Sequence, residues 1–214
     1  MNYHCILKSL QYFITINSDI LNVGILLFDN VELLDFAGPM QVFSSAQYVD
    51  EQLIDDIITL GNQKEIIVSK TRMKVNIDKH ISIVGMLDVL IIPGGFGTRP
   101  LIHDDEFLSD VKDLVHRSKI VLTVCTGSLL LAKLGVISNL TATTHYAAIE
   151  LLSKLDPTIK VDRSKRYHDN GKYVISEGVS AGIDASFYLL KRLFNGDVSA
   201  QVKKYIEYYP EKVS

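Results

Sequence analysis

Cys125 stands where two sequence patterns meet. Residues 120–124 form an apolar, β-branched run that reads as a buried strand, and residues 128–134 carry a helix pattern; only Cys125, Thr126 and Gly127 separate them. A strand that turns directly into a helix places the turning residue at the strand's carboxyl end and the helix's amino end. Unpaired N–H groups and the positive end of the helix dipole collect there. A thiol in that setting ionises more readily than a free one, whose pKa is roughly 8.5, and the thiolate is the nucleophile. Open parallel sheets also bind ligands outside the carboxyl ends of their strands. The competing reading is a small, inert core residue, the commoner fate of a free cysteine.

Three further places could serve such a thiol. Asp35 lies among Leu33, Leu34 and Phe36, just ahead of a helix pattern that Pro39 suits at its first turn. It is either a helix cap or a carboxyl held at the sheet's carboxyl edge. Pro93-Gly94-Gly95-Phe96-Gly97 follows a fully apolar strand, residues 88–92. Glycines there make a tight turn or let backbone amides approach an anion. The run is neither a Walker loop nor a GxGxxG before a helix. His145 ends a short strand pattern, residues 140–144, as a structural histidine or a site residue.

The elements that must position these residues alternate between strand and helix. Residues 22–28 read as a first strand buried on both faces. Residues 53–60 give a second strand, and 65–69 with 73–77 a short β excursion. Residues 104–117 show helical spacing at Phe107, Val111, Leu114 and Val115. Residues 161–168 and 172–176 alternate around Asp169-Asn170-Gly171, which predicts a hairpin over 161–176. Helices are expected over 146–154, through 190–194, and over 198–208. The fold class is therefore α/β: a mostly parallel sheet with helices on both faces plus a hairpin, in a single domain over 21–214.

Composition narrows the function classes. The chain has 214 residues, is 47% hydrophobic and has a net charge of −3. That suffices for one large core and gives no basic surface for nucleic acid. No apolar run reaches the ~18 residues of a membrane span. Cys5 and Cys125 cannot make a disulfide framework, so a reduced, cytoplasmic protein is expected. Residues 1–20 read as a loosely docked extension, without a signal peptide's apolar centre and cleavage site. Some twenty residues follow Phe194, too few for an appended helix-turn-helix module.

Six blocks in this order resemble the ThiJ/PfpI superfamily, and within it the isocyanide hydratase branch: Gly24-Ile25-Leu26-Leu27-Phe28, Leu34-Asp35-Phe36-Ala37-Gly38-Pro39, Ile92-Pro93-Gly94-Gly95, Val124-Cys125-Thr126-Gly127-Ser128, Ala142-Thr143-Thr144-His145-Tyr146 and Val179-Ser180-Ala181-Gly182-Ile183-Asp184. The resemblance implies a flavodoxin-like sandwich and a homodimer. It makes Cys125 the nucleophile, Asp35 its acidic partner and Thr126 the residue that orients the intermediate. Asp35 fits the hydratase branch, where deglycase-like relatives carry glutamate. Thr126 stands where protease-like members carry histidine, which argues against a Cys-His peptidase. Thr123 and the lack of a later His-x-Glu depart from class I glutamine amidotransferases. Gly94, Gly95, His145 and Gly182 complete the expected substrate- and oxyanion-binding set, with the amides of Gly95 and Thr126 facing the developing charge.

The implied reaction is addition of water to an isocyanide, a small-molecule substrate, with no metal and no organic cofactor. The alternatives are a redox- or ligand-sensing member without activity, and glyoxalase- or hydrolase-like chemistry on a small carbonyl compound. The sulfur is expected near the Asp35 carboxyl and the Gly95 amide, with its pKa below the free value and the proton held by Asp35.

Overall fold

The computed structural model describes residues 20–194 and 196–210. The expected extension, with Cys5, lies almost wholly outside the described residues.

Strand β1 (Leu21–Leu26) and strand β6 (Leu87–Ile92) form the centre. Every residue of β6 is buried, and all of β1 but Asn22. Successive side chains of a strand point to opposite faces, so both faces of the sheet are covered. Strand β7 (Ser118–Thr123) lies beside β6, and β2 (Ile54–Gly61) beside β1. The other strands are β3 (Glu65–Ile67), β4 (Lys74–Asn76), β5 (Lys79–His80), β8 (Thr141–Ala142), β9 (Lys160–Val161), β10 (Tyr167–Asn170) and β11 (Tyr173–Ser176). The main sheet has seven strands in the order β10-β11-β7-β6-β1-β2-β5. All neighbours are parallel except β10 and β11. With its flanking helices this is an α/β, flavodoxin-like fold.

The helices are α1 (Leu33–Val49), α2 (Thr98–Leu101), α3 (Asp105–His116), α4 (Gly127–Lys133), α5 (Ile149–Leu155), α6 (Ala181–Leu193) and α7 (Gly196–Tyr205). Helix α3 has a sharp start: the side chain of Asp104 accepts from the N–H of Phe107 at 3.0 Å. Helix α4 ends at Gly135, whose φ of +69° is an ordinary glycine conformation, while the N–H of Val136 reaches back to the carbonyl of Leu131.

Two boundaries differ from the sequence reading. Helix α1 begins at Leu33, so Asp35 lies inside its first turn and Pro39 in its interior. Proline there removes the bond that the Asp35 carbonyl would accept; the apolar contacts of Phe36, Val42 and Phe43 outweigh that loss. The hairpin is shorter than 161–176. It spans Tyr167 to Ser176 around Gly171, at φ +79°, because Lys160–Val161 pairs with Thr141–Ala142 instead.

Gly182 serves packing. It is buried in the first turn of α6, and a Cβ there would sit 2.8 and 2.9 Å from the methyls of Val124. This glycine lets α6 close onto the residue before Cys125. Gly182→Ala is expected to lower stability by about 1–3 kcal/mol, read by urea unfolding, through overpacking.

Candidate active site

Register brings the candidate loops together. Ile92 of β6 pairs with Thr123 of β7, so the Gly94-Gly95 loop and the Cys125 turn leave the sheet side by side. The fit is close: a Cβ on Gly94 would lie 2.4 Å from the Thr126 nitrogen and 2.9 Å from Asp35 Oδ2. A Cβ on Gly127 would lie 2.2 Å from the Ile92 carbonyl oxygen. Glycine is required at both positions by close backbone approach.

Cys125 turns the chain with φ +57°, a left-handed conformation that costs a non-glycine residue energy. Its backbone is pinned on both sides. The N–H donates to the Glu177 carbonyl at 2.9 Å, and the carbonyl accepts from the hydroxyls of Thr144 at 2.9 Å and Ser128 at 3.2 Å. The Glu177 and Thr144 bonds cross from beyond the ends of β11 and β8, the Ser128 bond comes from the first turn of α4, and together they hold the strained turn. The side chain is 5% exposed.

Asp35 is fully buried and reaches the same point from α1. Oδ2 accepts from the Gly94 N–H at 2.9 Å. Oδ1 is buried without a hydrogen-bond partner, and the carboxyl as a whole interacts with the Cys125 side chain. Asp35 is therefore no helix cap. The N-cap position is Glu32, whose N–H donates to the Gly94 carbonyl. A bridge between Val31 and Gly95 ties the two loops together.

The amides differ from the expectation. The Gly95 N–H donates to Thr126 Oγ1 at 2.9 Å, and the Thr126 hydroxyl donates to the Gly95 carbonyl at 3.1 Å. Gly94 and Gly95 thus spend their N–H groups on Asp35 and Thr126, leaving none for an oxyanion. The backbone groups that do act on the Cys125 sulfur are those of Thr126 and Val179. Val179 was absent from the expected set. A β-branched residue at φ +46° is a backbone outlier; Val179 stands in the sixth block above, where no role was attached to it. The loop carrying it is clamped by Arg166, which donates to Asp184 Oδ2 at 2.6 Å and Ser180 Oγ at 3.0 Å.

Thr126 consequently locks the Gly-Gly loop onto the turn. Thr126→Val leaves the buried Gly95 N–H unpaired, while the Gly95 carbonyl keeps the hydroxyl and N–H of Thr98; the expected cost is about 1–3 kcal/mol in urea unfolding.

Charge is governed by burial. It pushes Asp35 from an ordinary 3.8 up to about 7, against the Gly94 and Cys125 hydrogen bonds. Burial first and the Asp35 charge second push the Cys125 thiol up to about 12, against the backbone groups of Thr126 and Val179. The expectation of a thiol below the free value is corrected: desolvation outweighs the helix end. The two groups titrate as a pair, and their values belong to the pair. Near pH 7 the pair loses its first proton and keeps the second. The higher value belongs to removal of that second proton, which would leave two adjacent negative charges. Transfer of the shared proton from sulfur to Asp35 leaves the net charge unchanged.

The sulfur opens into a cavity of about 440 Å³, bordered by Glu32, Gly95, Thr126, His145, Tyr146 and Val179. His145 is both a structural and a wall residue. It accepts from the Ala147 N–H at 3.3 Å and packs on Tyr146, with ring centroids 4.4 Å apart. Gly182 does not border the cavity. A wider surface groove by Ser44, Tyr48, Asp50 and Gln201 lies elsewhere and contains no cysteine.

A buried cysteine on a left-handed turn, a buried carboxyl beside it and a Gly-Gly loop across from it are now in place. The DJ-1/PfpI family pattern matches residues 22–192, most of the chain. The chain belongs to the DJ-1/PfpI family. It is 32% identical to the isonitrile hydratase of Pseudomonas putida over 191 residues, 89% of this chain and 79% of that protein. It is 30% identical to protein/nucleic acid deglycase 2 of Escherichia coli, over 54% of this chain and 56% of the relative. A crystal structure of a ThiJ/PfpI family protein from Pseudomonas syringae shares the fold, with a TM-score of 0.80 at 23% identity, covering 91% of this chain and 78% of that one. Among the described residues no helix is long and apolar enough to cross a membrane.

Proposed function

We propose that this DJ-1/PfpI protein adds water to an isocyanide to give an N-substituted formamide. The observation that carries the reading is the buried Cys125–Asp35 pair, whose carboxyl is pushed up to about 7 beside a thiol. An acid–base group titrating near the working pH is best suited to move protons both ways. Similarity to an isonitrile hydratase over most of the chain supports the choice of substrate.

The steps balance within the pair. As sulfur forms a bond to the terminal isocyanide carbon, the shared proton passes to Asp35. The carbon's lone pair then takes that proton, giving a thioformimidate, R–N=CH–S–Cys125. Water adds to this carbon; one of its protons reaches nitrogen and the other is lost as the C=O forms. The C–S bond breaks with its electron pair on sulfur, releasing R–NH–CHO, and the pair regains its proton. The Thr126 and Val179 backbone groups stabilise sulfur as it becomes anionic. The Thr126 hydroxyl, bound to Gly95, holds the two loops in place around it.

The test is a panel of simple isocyanides, neutral and charged, followed by NMR for formamide. Formamide from the wild type and none from Cys125→Ala supports the proposal. Turnover of methylglyoxal without formamide from any isocyanide would replace it by carbonyl chemistry at the same pair.

We also propose a homodimer in solution, on the family resemblance. Sedimentation at micromolar concentration should give twice the chain mass, and a monomer would count against it.

A further inference from the structure

The cavity rim carries two cations and an exposed ring. Phe96 is 56% exposed. Arg99 Cζ lies 5.1 Å and Lys70 Nζ 5.9 Å from its ring centroid. All three border the cavity that holds Cys125. They come from separate places: Phe96 and Arg99 from the Gly-Gly loop and α2, Lys70 from the turn after β3. Lys70 has φ +56°, a conformation glycine or asparagine would adopt with less strain. Among the described residues neither cation forms an ion pair with a carboxylate. The opposing charges are Glu32 on the cavity wall and the single negative charge of the Cys125–Asp35 pair above pH 7. An anion near the sulfur would be repelled, whereas one at the rim would meet both cations.

We propose that the substrate is an isocyanide whose substituent carries a carboxylate. The isocyano carbon faces Cys125 while Lys70 and Arg99 bind the carboxylate at the rim. The guanidinium fork suits a carboxylate, and the exposed Phe96 ring lies within cation–π range of both cations. This rests on the hydratase reading above, because it names the substituent of that substrate.

Two measurements on the wild type and the Lys70→Gln/Arg99→Gln double variant test it. The first compares kcat/KM for isocyanoacetate and for methyl isocyanoacetate, which differ at the far end by the charge and one methyl group. The wild type is expected to prefer the acid about tenfold, the double variant to lose that preference through KM, and added salt to weaken it. The second needs no hydration: Cys125 is alkylated with iodoacetate, which is anionic, and iodoacetamide, which is neutral. The iodoacetate-to-iodoacetamide rate ratio is expected to fall about five- to tenfold in the double variant. Equal kcat/KM for acid and ester in the wild type, or a ratio that the two substitutions leave unchanged, would overturn the proposal. Turnover of the ester but not the acid would overturn it while leaving the hydratase reading intact. If neither isocyanide is hydrated but the alkylation ratio still falls, the substrate named here fails and only an anion-binding rim survives; the hydratase reading fails with it when the wider isocyanide panel gives no formamide either.

Discussion

Replacing Asp35 with asparagine is expected to slow formamide formation by roughly 10²- to 10⁴-fold, the usual worth of a positioned acid–base group. The substitution preserves the geometry. The amide oxygen can still accept the Gly94 N–H, and the amide nitrogen takes the place of the unpartnered Oδ1. What disappears is the ability to take a proton from the thiol and return it to carbon. The same substitution should stabilise the fold. In the folded protein Asp35 binds its proton more tightly than in the unfolded chain, about 7 against an ordinary 3.8. Its contribution is therefore full at low pH and is lost as pH rises from about 4 through 7. The upper limit of that loss is about 4 kcal/mol. Urea unfolding at pH 5 and pH 8 should show Asp35→Asn gaining on the wild type mainly at pH 8. A variant that loses activity and stability together at both pH values would instead make Asp35 a structural residue.

Cys125→Ala is expected to reduce turnover to background, a loss of at least about 10⁴-fold, because no other thiol lines the cavity. His145 has its Nδ1 engaged by the Ala147 N–H, and the Thr126 hydroxyl is bound to Gly95. Cys125→Ser should fare little better, because a buried hydroxyl gives up its proton far less readily than a thiol. Mass spectrometry during turnover should show the thioformimidate on wild-type Cys125 and no adduct on either variant. Residual activity within tenfold of wild type in Cys125→Ala would remove the cysteine from the reaction.

Local pattern was enough to find the turn but not to describe its chemistry. The apolar runs of β1, β6 and β7 and the glycine-rich loop after β6 are periodic signals, and they place Cys125, Gly94 and Thr126 at one sheet edge. The partnership of Asp35 with Gly94 spans 59 positions, and that of Gly95 with Thr126 spans 31. Neither follows from spacing, so amides that seemed free for an oxyanion turn out to be occupied. The start of α1 was misread because Pro39 looks like a first-turn residue when the buried contacts that carry the helix past it are not visible. The role of Val179, named only as part of the sixth block, was missed because its left-handed backbone is imposed by the loop around it. The sign of the Cys125 shift was misjudged because burial depends on three-dimensional packing, whereas the helix end is visible in one dimension. The pairing of Lys70 and Arg99 across Phe96 joins segments far apart in the chain and left no sequence signal.

The central claim is that Cys125 and Asp35 share one proton at neutral pH. The most direct test is the pH dependence of iodoacetamide alkylation at Cys125, followed by mass spectrometry in the wild type and in Asp35→Asn. The wild-type rate should rise with an apparent pKa of about 7, where the pair loses its first proton and Asp35 can accept the thiol's. In Asp35→Asn that step should vanish, leaving a rise only above the ordinary thiol range of roughly 8.5. A wild-type cysteine inert until well above that range, or one that Asp35→Asn makes more reactive at pH 7, would contradict the account: Asp35 would then be only a repelling charge, and Cys125 a packed core residue.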